Sequence, residues 1–259
     1  MTEQDGRTLP RLVEVMQGLL APDGCPWDRE QTFASLRPYV IEEAFEVVDA
    51  IDRQNPELLK EELGDLLLQV VFQAELARAE GWFGPDDVIA AVCDKLVRRH
   101  PHVFGGAKVS DADGALHQWE KLKKEERRGR GALAGVPVAL PALLRAVRVG
   151  EKAGAVGYDW PDAGGARAKV DEELAELDEA LDRGDPLAAE SELGDVLFAL
   201  ASFARKQAMD PEAALRTSLD RFSQRFERVE VAARSQGRTL DSMTPAELDE
   251  LWQQAKREG

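Results

Sequence analysis

An acidic pattern occurs twice in this chain, in the same order and at the same spacing. Glu42-Glu43-Ala-Phe-Glu46 is echoed by Glu172-Glu173-Leu-Ala-Glu176, and Glu62-Leu-Gly-Asp65 by Glu192-Leu-Gly-Asp195. In each half 19 positions separate the second glutamate of the first block from the glutamate that opens the second block. Two further echoes follow in order: Lys95 with Arg99 matches Arg221 with Arg225, and Trp119 with Lys123 matches Trp252 with Lys256, each pair four residues apart. One such echo is ordinary; four in sequence point to internal duplication. The chain is therefore expected to fold as two related domains, 1–128 and 142–259, joined by a Gly- and Pro-rich linker over 129–141.

Start signals place helices within each half. Asn55-Pro56, Asp185-Pro186, Gly84-Pro85 and Asp210-Pro211 each set a cap residue before a proline, which supplies the fixed φ of a first helical turn. Pro38 reads the same way, as the start of a helix running through Tyr39 to Ile51. A helix bearing E-E-x-x-E then turns through a short loop into one bearing E-L-G-D, an antiparallel hairpin. Longer helices are expected over about 85–99 and 110–128, and over 211–235 and 244–257. Aromatic residues make up only 6% of the chain, and no run of alternating strand residues stands out. The expected fold is all-α, two tandem small helical bundles related by duplication.

Residues three or four apart share a helix face. Glu43 with Glu46 and Glu62 with Asp65 form two such pairs, and the hairpin brings them together. Glu173, Glu176, Glu192 and Asp195 repeat this in the second half. A lone E-x-x-E is usually a solvated surface. Here the second helix continues as Leu66-Leu-Leu-Gln-Val-Val-Phe72, or as Val196-Leu-Phe-Ala-Leu-Ala-Ser-Phe-Ala204, apolar nearly all round and so expected to be central. Its acids then point inward, where clustered carboxylates repel and unpaired ones are costly. A divalent cation relieves both, and an all-oxygen set suits Mg²⁺, with Mn²⁺ as substitute. Gly64 and Gly194, lying between the acids, let a neighbouring helix or a phosphate approach closely, or else relieve helix packing.

Magnesium on carboxylates points to phosphate-anhydride chemistry. The Lys95/Arg99 and Arg221/Arg225 pairs then bind outer phosphates and the leaving pyrophosphate. Trp119 and Trp252 either pack a core or stack on a base. A di-iron carboxylate site needs Glu-x-x-His, whereas His100, His102 and His117 follow Val97, Arg99 and Gly114 at that spacing. No G-x-x-x-x-G-K-[ST] phosphate loop is present.

Charge and cysteine usage narrow the setting. The formal net charge of −16 argues against stable nucleic-acid binding and against an anionic membrane. No apolar stretch approaches the roughly 18 residues of a membrane span. Met-Thr-Glu-Gln-Asp-Gly at the start lacks the character of a secretory signal. Cys25 and Cys93, the only cysteines, cannot make a disulfide framework or a zinc cluster, so a cytoplasmic protein is expected.

Together these features resemble the MazG family of nucleoside triphosphate pyrophosphohydrolases. The likeness spans nearly the whole chain and rests on Cys25-Pro-Trp-Asp28, the doubled acidic blocks, Arg98-Arg-His-Pro-His-Val-Phe104, Gly157-Tyr-Asp-Trp160 and Trp252-Gln-Gln-Ala-Lys256. It implies an all-α, Mg²⁺-dependent homodimer that cleaves NTPs and dNTPs between the α and β phosphates, giving NMP and pyrophosphate. The implied role is cleaning of the nucleotide pool, with a link to an alarmone left open. By the same likeness Glu173, Glu176, Glu192 and Asp195 hold metal, and Arg221, Arg225, Trp252 and Lys256 contact nucleotide. Arg221 stands where the family often has lysine, replacing a point charge with a planar fork. The first half matches at Glu43, Glu46, Glu62 and Asp65 for metal and at Lys95, Arg99, Trp119 and Lys123 for substrate. The resemblance inclines towards the second half as the main catalyst, with Glu172 or Glu42 as the base towards water. The contrasting expectation is a catalytically silent helical regulatory protein whose acids serve metal-stabilised assembly.

Overall fold

The computed structural model describes residues 8–106, 111, 114–115, 118–119, 129 and 131–258. Among the described residues there is no strand, in agreement with the all-α expectation. The chain divides into two compact units, Met1–Arg128 and Gly129–Gly259.

The first unit holds α1 (Leu9–Leu20), α2 (Pro26–Arg29), α3 (Phe33–Asp52), α4 (Pro56–Ala79), α5 (Pro85–Arg99) and α6 (Pro101–Phe104). Its heart is the α3–α4 hairpin, closed by Arg53, Gln54 and Asn55. The Asn55 side chain accepts from the amides of Glu57 and Leu58 at 3.2 Å, a cap that stabilises the helix start by about 1 kcal/mol. Met16, Leu36, Val71 and Phe72 form the core, where α1 lies against the hairpin.

One helix begins earlier than its sequence suggests. α3 starts at Phe33 rather than at Pro38, which sits inside the helix. A capping box built from Thr32 and Ser35 sets the start, with reciprocal bonds of 3.1 and 2.9 Å. Pro38 then removes a single helical bond, to a carbonyl on exposed Ala34, where water can replace it.

The second unit holds α7 (Ala142–Gly154), α8 (Ala163–Asp182), α9 (Pro186–Lys206), α10 (Pro211–Ser235), a short 3₁₀ turn (Leu240–Ser242) and α11 (Pro245–Arg257). The α8–α9 hairpin repeats α3–α4, with Arg183, Gly184 and Asp185 as its loop. The Lys152 ammonium donates to the carbonyl of Ala134, tying the turns before α7 to that helix. Val229 and Ala233 of α10 close on Leu251 and Ala255 of α11. Of the helix expected over 110–128, residues 114–115 and 118–119 are helical, while His117 and Lys123 lie outside the described residues.

The E-L-G-D helices are covered on one face only. In α9, Val196, Ala199 and Ala204 are buried, yet Leu193, Leu197 and Leu200 stand 43–48% exposed. Leu63, Leu67 and Val70 repeat this stripe on α4 at 42–48% exposure. A two-helix hairpin buries one seam between its helices, and among the described residues of each unit this opposite face stays exposed. Among the described residues no helix is long and apolar enough to cross a membrane.

Candidate metal and phosphate site

Each hairpin gathers three acids. Oxygens of Glu43, Glu62 and Asp65 lie within 4.8 Å of one another in the first unit, and those of Glu173, Glu176 and Glu192 do so in the second. Antiparallel helices oppose the acid pairs, as the spacing requires. Glu46 and Asp195 are not among these triplets. Residues three apart diverge by about 60° around a helix, so both members of a pair need not aim at one point. Glu46 nevertheless lies near enough to Glu43 to raise its carboxyl.

The electrostatics are those of crowded carboxylates. Partial burial, the interaction of a protonated Glu43 with the Glu46 carboxylate and the charges of Glu46, Asp65 and Glu62 push the Glu43 carboxyl above its ordinary range. Desolvation and the charge of Glu46 raise Glu62. Glu176 is raised by desolvation and by the charge of Glu173. An all-oxygen cluster that resists ionisation in this way fits a hard divalent cation such as Mg²⁺.

Lys169 is the residue that sequence reasoning missed. Its ammonium sits 2.7 Å from Glu173 Oε1 and 2.9 Å from Glu172 Oε1. Glu173 is only 7% exposed, so this ion pair neutralises the most buried acid of the second triplet. Both acids hold the Lys169 ammonium well above its usual value. The signal was present, since Lys169 lies three and four residues before the two glutamates on one helix face. Tyr39 takes the corresponding place, four residues before Glu43.

The basic and aromatic candidates lie on other helices. Lys95 and Arg99 occupy the second half of α5, and the Arg99 guanidinium lies 5.7 Å from the Trp119 ring centroid. Arg221 and Arg225 lie on α10, while Trp252 and Lys256 lie on α11 with Lys256 Nζ 5.9 Å from the indole centroid. Trp252 packs against the α10–α11 core and meets Phe222 at 5.0 Å. Among the described residues no ion pair joins Lys95, Arg221 or Arg225 to an acid, and Arg225 Nε is buried without a hydrogen-bond partner. A Cβ built on Gly64 or Gly194 would meet nothing within 4 Å. Among the described residues of its own unit, neither glycine is in close helix contact, and the space above each is open to a ligand.

The Gly157-Tyr-Asp-Trp160 segment buttresses the second hairpin. Asp159 accepts from both terminal nitrogens of Arg205, at 2.6 and 3.0 Å, and pairs with Lys206 at 2.8 Å. The Lys206 ammonium also donates to the Trp160 carbonyl, and the Trp160 ring lies where a Cβ on Gly165 would stand, 2.9 Å away. The start of α8 is thereby tied to the end of α9, and α8 carries Lys169, Glu173 and Glu176.

Comparison with known proteins agrees with this duplicated arrangement. The model of the MazG nucleotide pyrophosphohydrolase domain matches twice, over residues 31–104 and 166–230, each match containing one acid triplet. The chain is 43% identical over 257 residues to the nucleoside triphosphate pyrophosphohydrolase/pyrophosphatase MazG of Thermotoga maritima, with 98% of each chain covered. It is 41% identical over 256 residues to the nucleoside triphosphate pyrophosphohydrolase of Escherichia coli, covering 96% of this chain and 97% of that one. The Mycolicibacterium smegmatis protein of the same name is 40% identical over 151 residues, spanning 56% of this chain and 46% of its own.

Proposed function

The chain belongs to the MazG nucleotide pyrophosphohydrolase family, and from that premise we propose that it hydrolyses nucleoside and deoxynucleoside triphosphates to monophosphate and pyrophosphate, removing unwanted triphosphates from the nucleotide pool. The observation that carries this reading is the convergence of three carboxylates at matching places in both hairpins.

Glu173, Glu176 and Glu192 would hold Mg²⁺, with Asp195 one turn away to complete the set. Glu43, Glu46, Glu62 and Asp65 offer the same in the first unit. A divalent cation held by these carboxylates would supply charge neutralisation for the phosphate chain and would lower the pKa of a bound water. Glu172 is exposed beside the cluster and would take the proton from the attacking water. Arg221 and Arg225 would grip the outer phosphates and the departing pyrophosphate, a reading supported by the unpartnered, buried Nε of Arg225. Lys256, and Lys95 with Arg99 in the first unit, would add positive charge. The reading includes a cytoplasmic homodimer, supported by the apolar stripes exposed on α4 and α9 among the described residues.

A product assay tests the activity. With Mg²⁺ the purified chain should release pyrophosphate and nucleoside monophosphate, not orthophosphate, and Glu173→Ala or Asp195→Ala should reduce that to background in a folded protein. Activity that survives these changes combined with Glu43→Ala and Asp65→Ala would refute the metal assignment. A folded chain with no hydrolysis of any triphosphate would instead be a helical interaction protein.

A further inference from the structure

The joint between α5 and α6 carries two imidazoles that the phosphate chemistry does not use. His100 closes α5, and His102 lies in the first turn of α6 with Pro101 between them. Backbone bonds hold this joint. The His100 amide donates to the Val97 carbonyl at 3.3 Å, and the His100 carbonyl accepts from Val103 and Phe104 at 2.9 and 3.0 Å. Pro101 adds a locked φ. Both histidines are half-buried, and their ring centroids lie 5.6 Å apart with 58° between the planes.

Each ring has a nitrogen to offer. His100 Nδ1 lies 2.7 Å from the Leu96 carbonyl oxygen. A carbonyl only accepts, so Nδ1 carries the proton and donates, and the neutral ring keeps its lone pair on Nε2. A backbone carbonyl orients metal-binding histidines in this same way. His102 Nδ1 is buried with no hydrogen-bond partner among the described residues, so no bond is surrendered when that ring turns onto an ion. The spacing also suits a single ion. With metal–nitrogen bonds of about 2.0–2.1 Å and ring centres about 1.2 Å beyond, two imidazoles on one tetrahedral centre stand about 5.2 Å apart. A small rotation of either ring reaches that separation.

We propose that His100 and His102 form a two-histidine site for a divalent transition metal of the Zn²⁺ or Ni²⁺ class, separate from the acid triplets. Imidazole suits these ions, whereas Mg²⁺ prefers oxygen. Among the described residues no carboxylate or thiolate joins the pair as a close third donor, so water completes the shell. Arg98 and Arg99 precede the pair and oppose a further cation, so the ion binds reversibly rather than as a permanent structural metal. The site belongs to the first unit alone. Aligning Arg99 with Arg225 sets Phe226 and Arg228 of the second unit against the two histidines, and neither is a ligand. An ion on the pair holds the end of α5 against α6, and α5 is the helix that presents Lys95 and Arg99.

The test titrates Ni²⁺ into the full chain by calorimetry, with millimolar Mg²⁺ present to occupy the acids. One Ni²⁺ should bind per chain at this site. His100→Gln and His102→Gln should each weaken it by at least about tenfold, and His117→Gln should leave it within about twofold. Electron paramagnetic resonance of the wild type with one equivalent of Cu²⁺ should show couplings to two imidazole nitrogens, a readout that does not depend on how the variants fold. Either single variant, with helicity unchanged by circular dichroism, should show one. Nickel affinity that survives both substitutions puts the ion on the acids and overturns the site. Loss in only one of the two variants, or a single imidazole in the wild type, leaves a lone surface histidine and overturns the pair. Triphosphate hydrolysis enters none of these readouts, so the result stands apart from the proposed activity.

Discussion

The Lys169 ammonium lies 2.7 Å from Glu173 Oε1, so the most buried acid of the second triplet already faces a cation supplied by its own helix. A metal arriving at this cluster must displace or share that ammonium. Lys169→Met therefore has opposite effects in the two states. Without metal it leaves a carboxylate with 9% side-chain exposure unpaired, at a cost of about 1–3 kcal/mol. With metal the competitor is gone. The expected outcome is a lower melting temperature in chelator and a larger rise on adding Mn²⁺ than the wild type shows, read by calorimetry. An unchanged metal-induced rise would mean that the ammonium and the metal do not compete.

The Asp159 clamp gives the second unit a defined weakness to acid. Hydrogen bonds from Arg205, then Lys206, lower its carboxyl from 3.8 to about 2. A depressed carboxylate contributes stability that is full above the unfolded value and is lost as pH falls through the folded one. The window is therefore about pH 4 to 2, and the contribution is about 2 kcal/mol for a side chain 19% exposed. Glu247, held at about 2 by Arg238 and Thr244, titrates in the same window, so wild type alone does not isolate Asp159. The difference between wild type and Asp159→Asn does. It should be largest above pH 4 and should shrink towards pH 2 in urea titrations, and a difference constant across that range would place the effect elsewhere.

Backbone strain is exchanged between the duplicates. After the first helix of each hairpin the chain turns through φ +52° at Gln54 in one unit and +65° at Gly184 in the other. After the second helix the order reverses, with Gly81 at +71° and Ala208 at +54°. Side chains disfavour this left-handed region by about 1–2 kcal/mol, against a smaller entropic gain from restricting the unfolded chain. Gln54→Gly and Ala208→Gly should each stabilise the fold by about 0.5–1 kcal/mol. Gly184→Ala, where a Cβ would meet nothing within 4 Å, should destabilise it by a similar amount through the backbone alone. Urea midpoints at unchanged slope provide the check, and a lowered midpoint for Gln54→Gly would contradict it.

What the sequence could show followed from local rules. Asn55, Asp185 and Asp210 cap helices as their Asx-Pro pairs imply, because a cap depends on a few adjacent residues. The acid blocks meet because their spacing obeys the helical period. Other features depended on competition or on absent neighbours. Pro38 looked like a helix start, but the Thr32 box six residues earlier extends the helix past it. Lys169 looked like any surface lysine four residues from a glutamate, and its importance comes from the burial of Glu173, which a linear pattern does not display. The continuous apolar run after Asp195 suggested burial all round, yet a run cannot say whether its second face is covered by the same chain.

That second face supports the last prediction. Leu193, Leu197 and Leu200 form one stripe on α9, and Leu215, Leu219, Phe222 and Phe226 form another on α10, all at 41–56% exposure. Leu63, Leu67 and Val70 repeat the first stripe in the other unit. Apolar surface of this regularity is driven to pair, and a stable interface needs about 1,200–2,000 Å² in all. The chain should sediment as a dimer at micromolar concentration. A lysine at the middle of a stripe, in Leu67→Lys or Leu197→Lys, buries an unpaired charge in any such interface and should shift the equilibrium towards monomer by about 1–3 kcal/mol while helicity is retained. A wild-type chain that is monomeric at that concentration would show that these stripes do not pair two copies, and would remove the homodimer from the proposed function.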